Sequence, residues 1–332
     1  MRAAEVASAL TTADAGRTAE SILEAQRDDG CIAWWPGAPA DPWNHVEAAM
    51  GLDVVGYHAD AERAYEWLVG AQRRDGSWAI EYRDGSPHNA GSDSNFCVYV
   101  ATGVLHHWLM TSDRGFLETM WPVVERAVRF VIALQVEDGR IFWAKDSAGN
   151  VFEAALLTSC ACITHSLSSA TTIAEILGHE RPSWHLARKR LEQAVARETG
   201  FADKARYAMD WYYPVLSGAL DPRAGQDRLS ERWNEFVIVG HGCRCVSDRP
   251  WVTAAETFEL VMSLMAIGSR HRALELFAWG QHLRDEDAYW TGATWPDGTV
   301  WPREKTSWTA GAALLACDAL SDGVTLSLFR RS

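Results

Sequence analysis

The chain has 332 residues, of which 48% are hydrophobic and 23% charged, and a formal net charge of −13. Nucleic acid and anionic membrane are excluded as general partners, because both need a basic face. A chain this long supports one large domain or two medium ones, with ample apolar surface to bury. No uninterrupted apolar run reaches the roughly 18 residues that a membrane span requires. The N-terminal stretch Met1 to Asp14 carries no apolar leader segment, and the seven cysteines are sparse and odd in number. The expectation is a cytoplasmic protein with reduced thiols.

Helical periodicity dominates, and strands are expected to be absent or very short. The helices read as pairs, the first charged on one face and the second richer in Ala, Cys, Ser and aliphatics. In chain order the pairs are 17–27 with 43–56, 60–73 with 93–111, and 117–136 with 152–177. They continue as 183–197 with 209–219, 226–238 with 251–268, and 270–283 with 305–319.

A register repeats through these pairs. Arg17, Arg63, Arg126 and Arg272 each stand nine residues before a glutamine: Gln26, Gln72, Gln135 and Gln281. Asp-Gly follows three of them, as Asp29-Gly30, Asp75-Gly76 and Asp138-Gly139. Arg190 and Arg232 fall where weaker copies belong, so successive arginines are spaced by 46, 63, 64, 42 and 40 residues. Helical hairpins repeating at such intervals form a solenoid or a closed ring. The division into polar outer and apolar inner helices points to an all-α, single (α/α)6 toroid or barrel of six hairpins. One domain, 1–332, holds repeats over about 17–320, with an open solenoid as the alternative. The long loops (28–42, 75–92, 138–151, 240–250 and 285–304) then gather on one face, at the N-terminal ends of the inner helices.

The pattern Arg-Ala, apolar residue, Gln, then Asp-Gly-x-Trp resembles the QW repeat of the terpenoid cyclase and protein prenyltransferase β-subunit superfamily, whose members are α/α toroids. The likeness spans nearly the whole chain. It implies that Gln72, Gln135 and Trp78 do structural work, tying an outer helix to the following loop. It also implies an isoprenoid or other apolar substrate held in an aromatic cavity with acid-assisted chemistry. The Asp-x-Asp-Asp tetrad by which class II cyclases protonate an alkene does not occur in this chain. A second likeness, of composition and placement, is to (α/α)6 glycosidases and sugar epimerases. It rests on Asp41-Pro42-Trp43-Asn44-His45-Val46-Glu47 and on the aromatic, carboxylate-bearing segment Trp295 to Glu304.

Acid chemistry on an alkene or a glycosidic bond needs a carboxyl raised by an apolar pocket. Carboxylates expected at the mouth are Glu47, Asp93, Glu153, Asp210, Asp248, Glu256 and Glu304, and each could instead cap a helix. Asp210, beside Trp211, Tyr212 and Tyr213, is the first catalytic candidate; Glu304, between Trp301 and Trp308, is the second, followed by Glu47 and Asp93. Seventeen tryptophans are an unusual number. Trp34, Trp35, Trp43, Trp211, Tyr212, Tyr213, Trp251, Trp295, Trp301 and Trp308, together with Arg244, are the expected substrate contacts. Cys160, Cys162 and His165, with His241, Cys243 and Cys245, offer a lesser possibility of a metal site. No cofactor is required, and zinc or magnesium is the minor alternative. Three functions follow: a cyclase or prenyltransferase-like enzyme, a carbohydrate-active enzyme with paired carboxylates, or a binding toroid whose acids are all capped. The partner is a small molecule, isoprenoid or sugar.

Overall fold

The computed structural model describes residues 10–330, so the first nine residues of the N-terminal stretch read above lie outside it. Six outer helical elements alternate with six inner ones among the described residues. The first hairpin is α1 (Thr12–Ala25) with α2 (Pro42–Val54), and the second α3 (His58–Ala71) with α4 (Ser94–Val98) and α5 (Val100–Thr111). The third is α6 (Arg114–Ile132) with α7 (Leu157–Leu177), the fourth α8 (Pro182–Arg197) with α9 (Ala208–Leu216). The fifth joins α10 (Pro222–Glu231) and α11 (Trp233–Phe236) to α12 (Ala254–Ala266); the sixth is α13 (Arg270–Gly280) with α14 (Ser307–Leu320). A last helix, α15 (Val324–Phe329), lies beyond the expected repeats.

Local chemistry sets these boundaries. Asp41, Asp93, Asp113 and Asp221 accept backbone N–H bonds at helix starts, and Pro42, Pro182 and Pro222 occupy first helical positions. The outer helix α6 buries a single stripe, Leu117, Met120, Val124, Val128 and Val131 among it. In contrast α2 is buried from Pro42 to Asp53 except at Asn44, as a helix enclosed on all sides must be.

The inner helices close a ring: α2 packs on α5, α5 on α7, α7 on α9, α9 on α12, α12 on α14, and α14 back on α2. The closing contact is very tight. A Cβ on Gly51 would lie 2.8 Å from the Gly311 Cα, so only glycine fits where the two backbones cross. The (α/α)6 barrel read from the sequence is the fold observed.

The repeated register is the mortar of the outer ring. Gln72 Nε2 donates to Gly76 O in its own loop and to Val123 O of the next outer helix, at 3.1 and 2.9 Å. Gln26 does the same to Gly30 O and Asp60 O, and Gln135 to Gly139 O and Ala187 O. Arg63 and Arg126 return a bond to the preceding glutamine, while Arg190 and Arg232 bond carbonyls of the preceding loop. Gly76, at φ +94°, sits against the Arg126 carbonyl, 2.1 Å from where its Cβ would be. The Trp78 indole, fully buried, donates to Leu68 O. At the seam the pattern lapses: Gln281 bonds Phe277 O of its own helix, and Arg17 donates to Glu286 O instead.

Connections from inner to outer helices are short, whereas those from outer to inner carry all the strands. β1 (Glu81–Arg83) pairs antiparallel with β2 (Ser86–Asn89). β3 (Ser92–Asp93), β4 (Ala144–Lys145) and β5 (Val151–Phe152) form one small sheet. A second contains β6 (Val237–Ile238), β7 (Gly242–Arg244), β8 (Trp251–Thr253) and, beyond a β9 (Arg284–Asp285) and β10 (Ala288–Tyr289) hairpin, β11 (Gly292–Thr294). These sheets build one elaborated face, the mouth. At the rear, α15 packs across α14, α12 and α5. No helix among the described residues is long and apolar enough to cross a membrane.

Candidate active site

Carboxyl groups gather at the N-terminal ends of the inner helices on two levels. On the upper level Asp41 caps α2, accepting from Trp43 N and Asn44 N through one oxygen and from Trp34 Nε1 and Asn44 Nδ2 through the other. Asp93 caps α4 with one oxygen only, at 2.8 Å from Asn95 N and 3.1 Å from Phe96 N. Burial pushes its carboxyl up to about 7, against those two bonds and with the Asp41 charge adding to the rise. Asp210 holds the start of α7, accepting from the backbone N–H and hydroxyl of Thr158 at 3.2 and 2.5 Å. Burial raises it too, opposed by Thr158 and then by the Arg228 charge.

The lower level is formed by Glu47 and Glu259, each about one and a half turns into its helix, α2 and α12 respectively. Both face an axial chamber that Tyr99, Cys162, Tyr213 and Met262 also line. Its volume of about 10 Å³ matches one water molecule. Glu259 accepts hydrogen bonds from the Tyr212 and Tyr213 hydroxyls, one on each oxygen. Burial lifts it to about 8, the two phenols pull it down, and the Glu256 charge pushes it up. Glu47 Oε2 has no partner within the protein. Burial drives Glu47 well above the carboxylate range, and the charges of Glu259, Asp41 and Glu256 drive it further. The pair therefore differs by environment: two phenols oppose the rise at Glu259, and no protein group opposes it at Glu47.

The sequence singled out Glu47 but not Glu259. The available signal was a glutamate three residues after Glu256, inside the apolar run Phe258 to Met265, where a charged side chain has to be partnered or functional.

The aromatic candidates divide. Trp34 lies 6.2 Å from Trp35 and 6.0 Å from Trp308, ring centre to ring centre, so the first mouth loop meets the start of α14 in one indole cluster. Trp43 stacks on Tyr99 at 5.0 Å, above the chamber. Trp251 and Trp301 pack edge to face at 5.0 Å, leaving Trp301 57% exposed. Arg244 lies over Trp295 at 5.3 Å and donates to Ser247 O. Trp211 turns to the outer ring, stacked on Phe236 with its indole bonded to Arg228 O, and takes no part in the mouth. Glu304 borders a surface depression with Trp35, Trp290, Arg303 and Ser21 of α1. Asp248 is paired with Arg206 at 2.8 Å, and Glu153 is exposed.

The cysteine clusters do not converge. Cys160, Cys162 and Cys243 are buried, and burial raises the thiols of all three, Cys160 to about 12. His165 stacks on Phe329 and His241 lies against Trp295. Among the described residues the atoms placed to hold a metal ion together belong to Asp53, His58 and His107 instead. That group is at the rear, where Asp53 Oδ1 is 2.9 Å from Nδ1 of both histidines, a hydrogen-bonded pin between α2, α3 and α5.

No family model matches the chain. It is 51% identical over 314 residues to the MMP endo-(1,4)-3-O-methyl-alpha-D-mannosidase of Mycolicibacterium hassiacum, covering 94% of this chain and 87% of that protein. Its fold is similar to a solved wild-type glycosidase, with a TM-score of 0.77, 16% identity and coverage of 99% and 100% of the two chains. It is also similar to the GH63 mannosylglycerate hydrolase of Thermus thermophilus, solved with glucose, with a TM-score of 0.72, 13% identity and coverage of 91% and 99%. The terpenoid cyclase and prenyltransferase resemblance is overturned by these relatives, and the isoprenoid substrate with it. The Gln and Asp-Gly register that suggested it answers a packing need of outer helices in this barrel, whatever the reaction. This chain belongs to the glycoside hydrolase family represented by the M. hassiacum endo-mannosidase.

Proposed function

We propose that the protein hydrolyses internal α-(1,4) bonds between mannose units in a 3-O-methylated mannose polymer, with Glu47 as proton donor and Glu259 as the carboxylate that activates water. The observation that carries the reaction is the 51% identity with an enzyme of that name over 94% of the chain. The residue roles rest on the two buried carboxyls facing one water-sized chamber from α2 and α12. Glu259, held by two phenols, takes a proton from water; Glu47, with Oε2 unpartnered, gives one to the departing glycosidic oxygen. A methylated polymer is less polar than plain mannan, which suits a mouth walled by Trp34, Trp35, Trp308 and the exposed Trp301.

Asp93 is the second reading for the donor, because its carboxyl sits near 7 with one oxygen uninvolved in the helix cap. The test is hydrolysis of α-(1,4)-mannooligosaccharides, with and without 3-O-methyl groups, by Glu47→Gln, Glu259→Gln and Asp93→Asn. Loss of roughly 10²-fold or more in kcat from each of the glutamate changes supports the assignment. Near-normal turnover in Glu47→Gln with a collapse in Asp93→Asn transfers the donor role to Asp93. A wild-type protein that leaves every one of these mannosides intact refutes the substrate.

A further inference from the structure

At the rear of the barrel, away from the mouth, lies a cavity of about 460 Å³. It is bounded by the C-terminal halves of α5 and α7, the end of α9, the outer helix α8 and the last helix α15. Nothing in the proposed hydrolytic step uses it.

Its lining is unusual for a packing defect. A void left by imperfect packing is apolar and small, since polar groups enclosed without partners are costly. Here three buried polar atoms without a protein partner, His165 Nε2, Ser169 Oγ and Arg188 Nε, belong to residues that line one space. Ser169 is 2% exposed and His165 7%, so neither side chain is satisfied by bulk water. Ser168, Thr172 and Ser217 add further hydroxyls. Native structures leave few such groups, and three around one cavity call for a common explanation.

The chemistry of the lining selects the ligand class. The charged groups facing the cavity are Arg188, Glu192 and, at its open edge, Arg330. Arg188 is paired with Glu192 at 2.5 Å, one turn away on α8, which leaves the interior close to neutral. Burial lowers the His165 ring to about 4, so at neutral pH it is uncharged and offers one donor and one acceptor. An anion would meet Glu192, and a cation Arg188. A guanidinium and a carboxylate side by side, several hydroxyls and an aromatic ring (Phe329) instead match a molecule bearing both donors and acceptors on an apolar skeleton. We propose that this rear cavity is a second, non-catalytic binding site for a neutral polyhydroxylated ligand of monosaccharide size.

The site adjoins the catalytic chamber. His165, Ser217 and Phe329 line both spaces, with the His165 and Phe329 rings stacked at 4.6 Å as a shared partition.

The probe is methyl α-D-mannopyranoside, titrated into full-length protein carrying ¹³C-labelled leucine methyls. Leu105, Leu109 and Leu328 line the rear cavity and report on it separately from the mouth. The expected result is saturable shifts at these three, lost in Ser168→Phe, which fills the cavity from its half-buried edge, and weakened at least tenfold in Arg188→Met. Both variants are first checked for a native methyl spectrum, so that loss of binding is not loss of fold. The readout is binding and owes nothing to turnover, so it stands apart from the hydrolase assignment. Shifts confined to methyls near the mouth, absence of any shift up to the solubility of the probe, or a response to inorganic phosphate in place of the sugar each overturn the proposal.

Discussion

Replacing Gln72 with Ala cuts the outer ring at one joint. Two amide-to-carbonyl bonds disappear, to Gly76 O at 3.1 Å and Val123 O at 2.9 Å, together with the Arg126 Nε bond to Gln72 Oε1 at 2.8 Å. The first two are each worth about 1 kcal/mol; the third is charge-assisted but half-buried, so it adds about 1 kcal/mol after screening, for a total of about 2–4 kcal/mol. For a chain of this length that corresponds to a fall in Tm of about 3–6 °C. The internal control is Gln281→Ala. Gln281 bonds only Phe277 O of its own helix and the Tyr289 hydroxyl, and ties no neighbouring outer helix. Its loss is expected to cost about two-thirds as much, about 2 kcal/mol, and to leave the contact between neighbouring hairpins intact. Thermal unfolding followed by circular dichroism, with urea titration of both variants, makes the comparison. Equal destabilisation of the two, or a Gln72→Ala shift below about 1 °C, refutes the view that this register is what joins successive hairpins.

Three further outcomes follow from the ionisable groups. If Glu259 is the base, its proton must leave before turnover, so kcat/KM falls as pH drops through about 8, whereas Asp93 as donor gives a loss as pH rises through about 7; a rate profile from pH 5 to 10 separates the two limbs. Glu47→Gln should stabilise the fold above the ordinary carboxylate range: a carboxyl raised on folding contributes stability that is lost as pH rises, by up to about 1.4 kcal/mol per pH unit, so the variant's advantage in urea unfolding grows with pH, and an advantage that shrinks contradicts the burial argument. Asp53 has the opposite sign. Burial raises it, but His106 and His107 more than compensate and hold it below its usual value, so its contribution is present above the unfolded carboxylate range and lost as pH falls through the folded value; Asp53→Asn should remove that acid-side dependence and cost about 3 kcal/mol or more at neutral pH.

The barrel was legible because its evidence is local. An outer helix announces itself by one apolar stripe, and the Arg, Gln and Asp-Gly of each hairpin stand at fixed offsets because they meet the same neighbours each time. The same regularity misled on function. A glutamine bonding the next helix three residues before its arginine serves any stacked α/α hairpin, so it marks architecture and says nothing of substrate. Chemistry required knowing which side chains meet across the axis, and that is set by ring closure. Asp210 stood out beside three aromatics, yet Trp211 turns outward while Tyr212 and Tyr213 serve Glu259. Glu259, hidden in an apolar helix, acquires its partners only when α9 and α12 pack. The histidine pair on α5 likewise gains meaning from Asp53, more than fifty residues earlier in the chain.

The crossing of Gly51 and Gly311 fixes the stoichiometry of the architecture. An open solenoid lengthens or shortens by whole repeats, each contributing roughly independently. Here the last inner helix must return to the first within a separation that only bare backbone allows, a closure that a ring with one hairpin more or fewer would have to rebuild. Evolution of this ring is therefore confined to its loops. Insertions at the mouth can reshape the cleft at little structural cost, while gain or loss of a hairpin must dismantle the floor on which Glu47 and Glu259 stand.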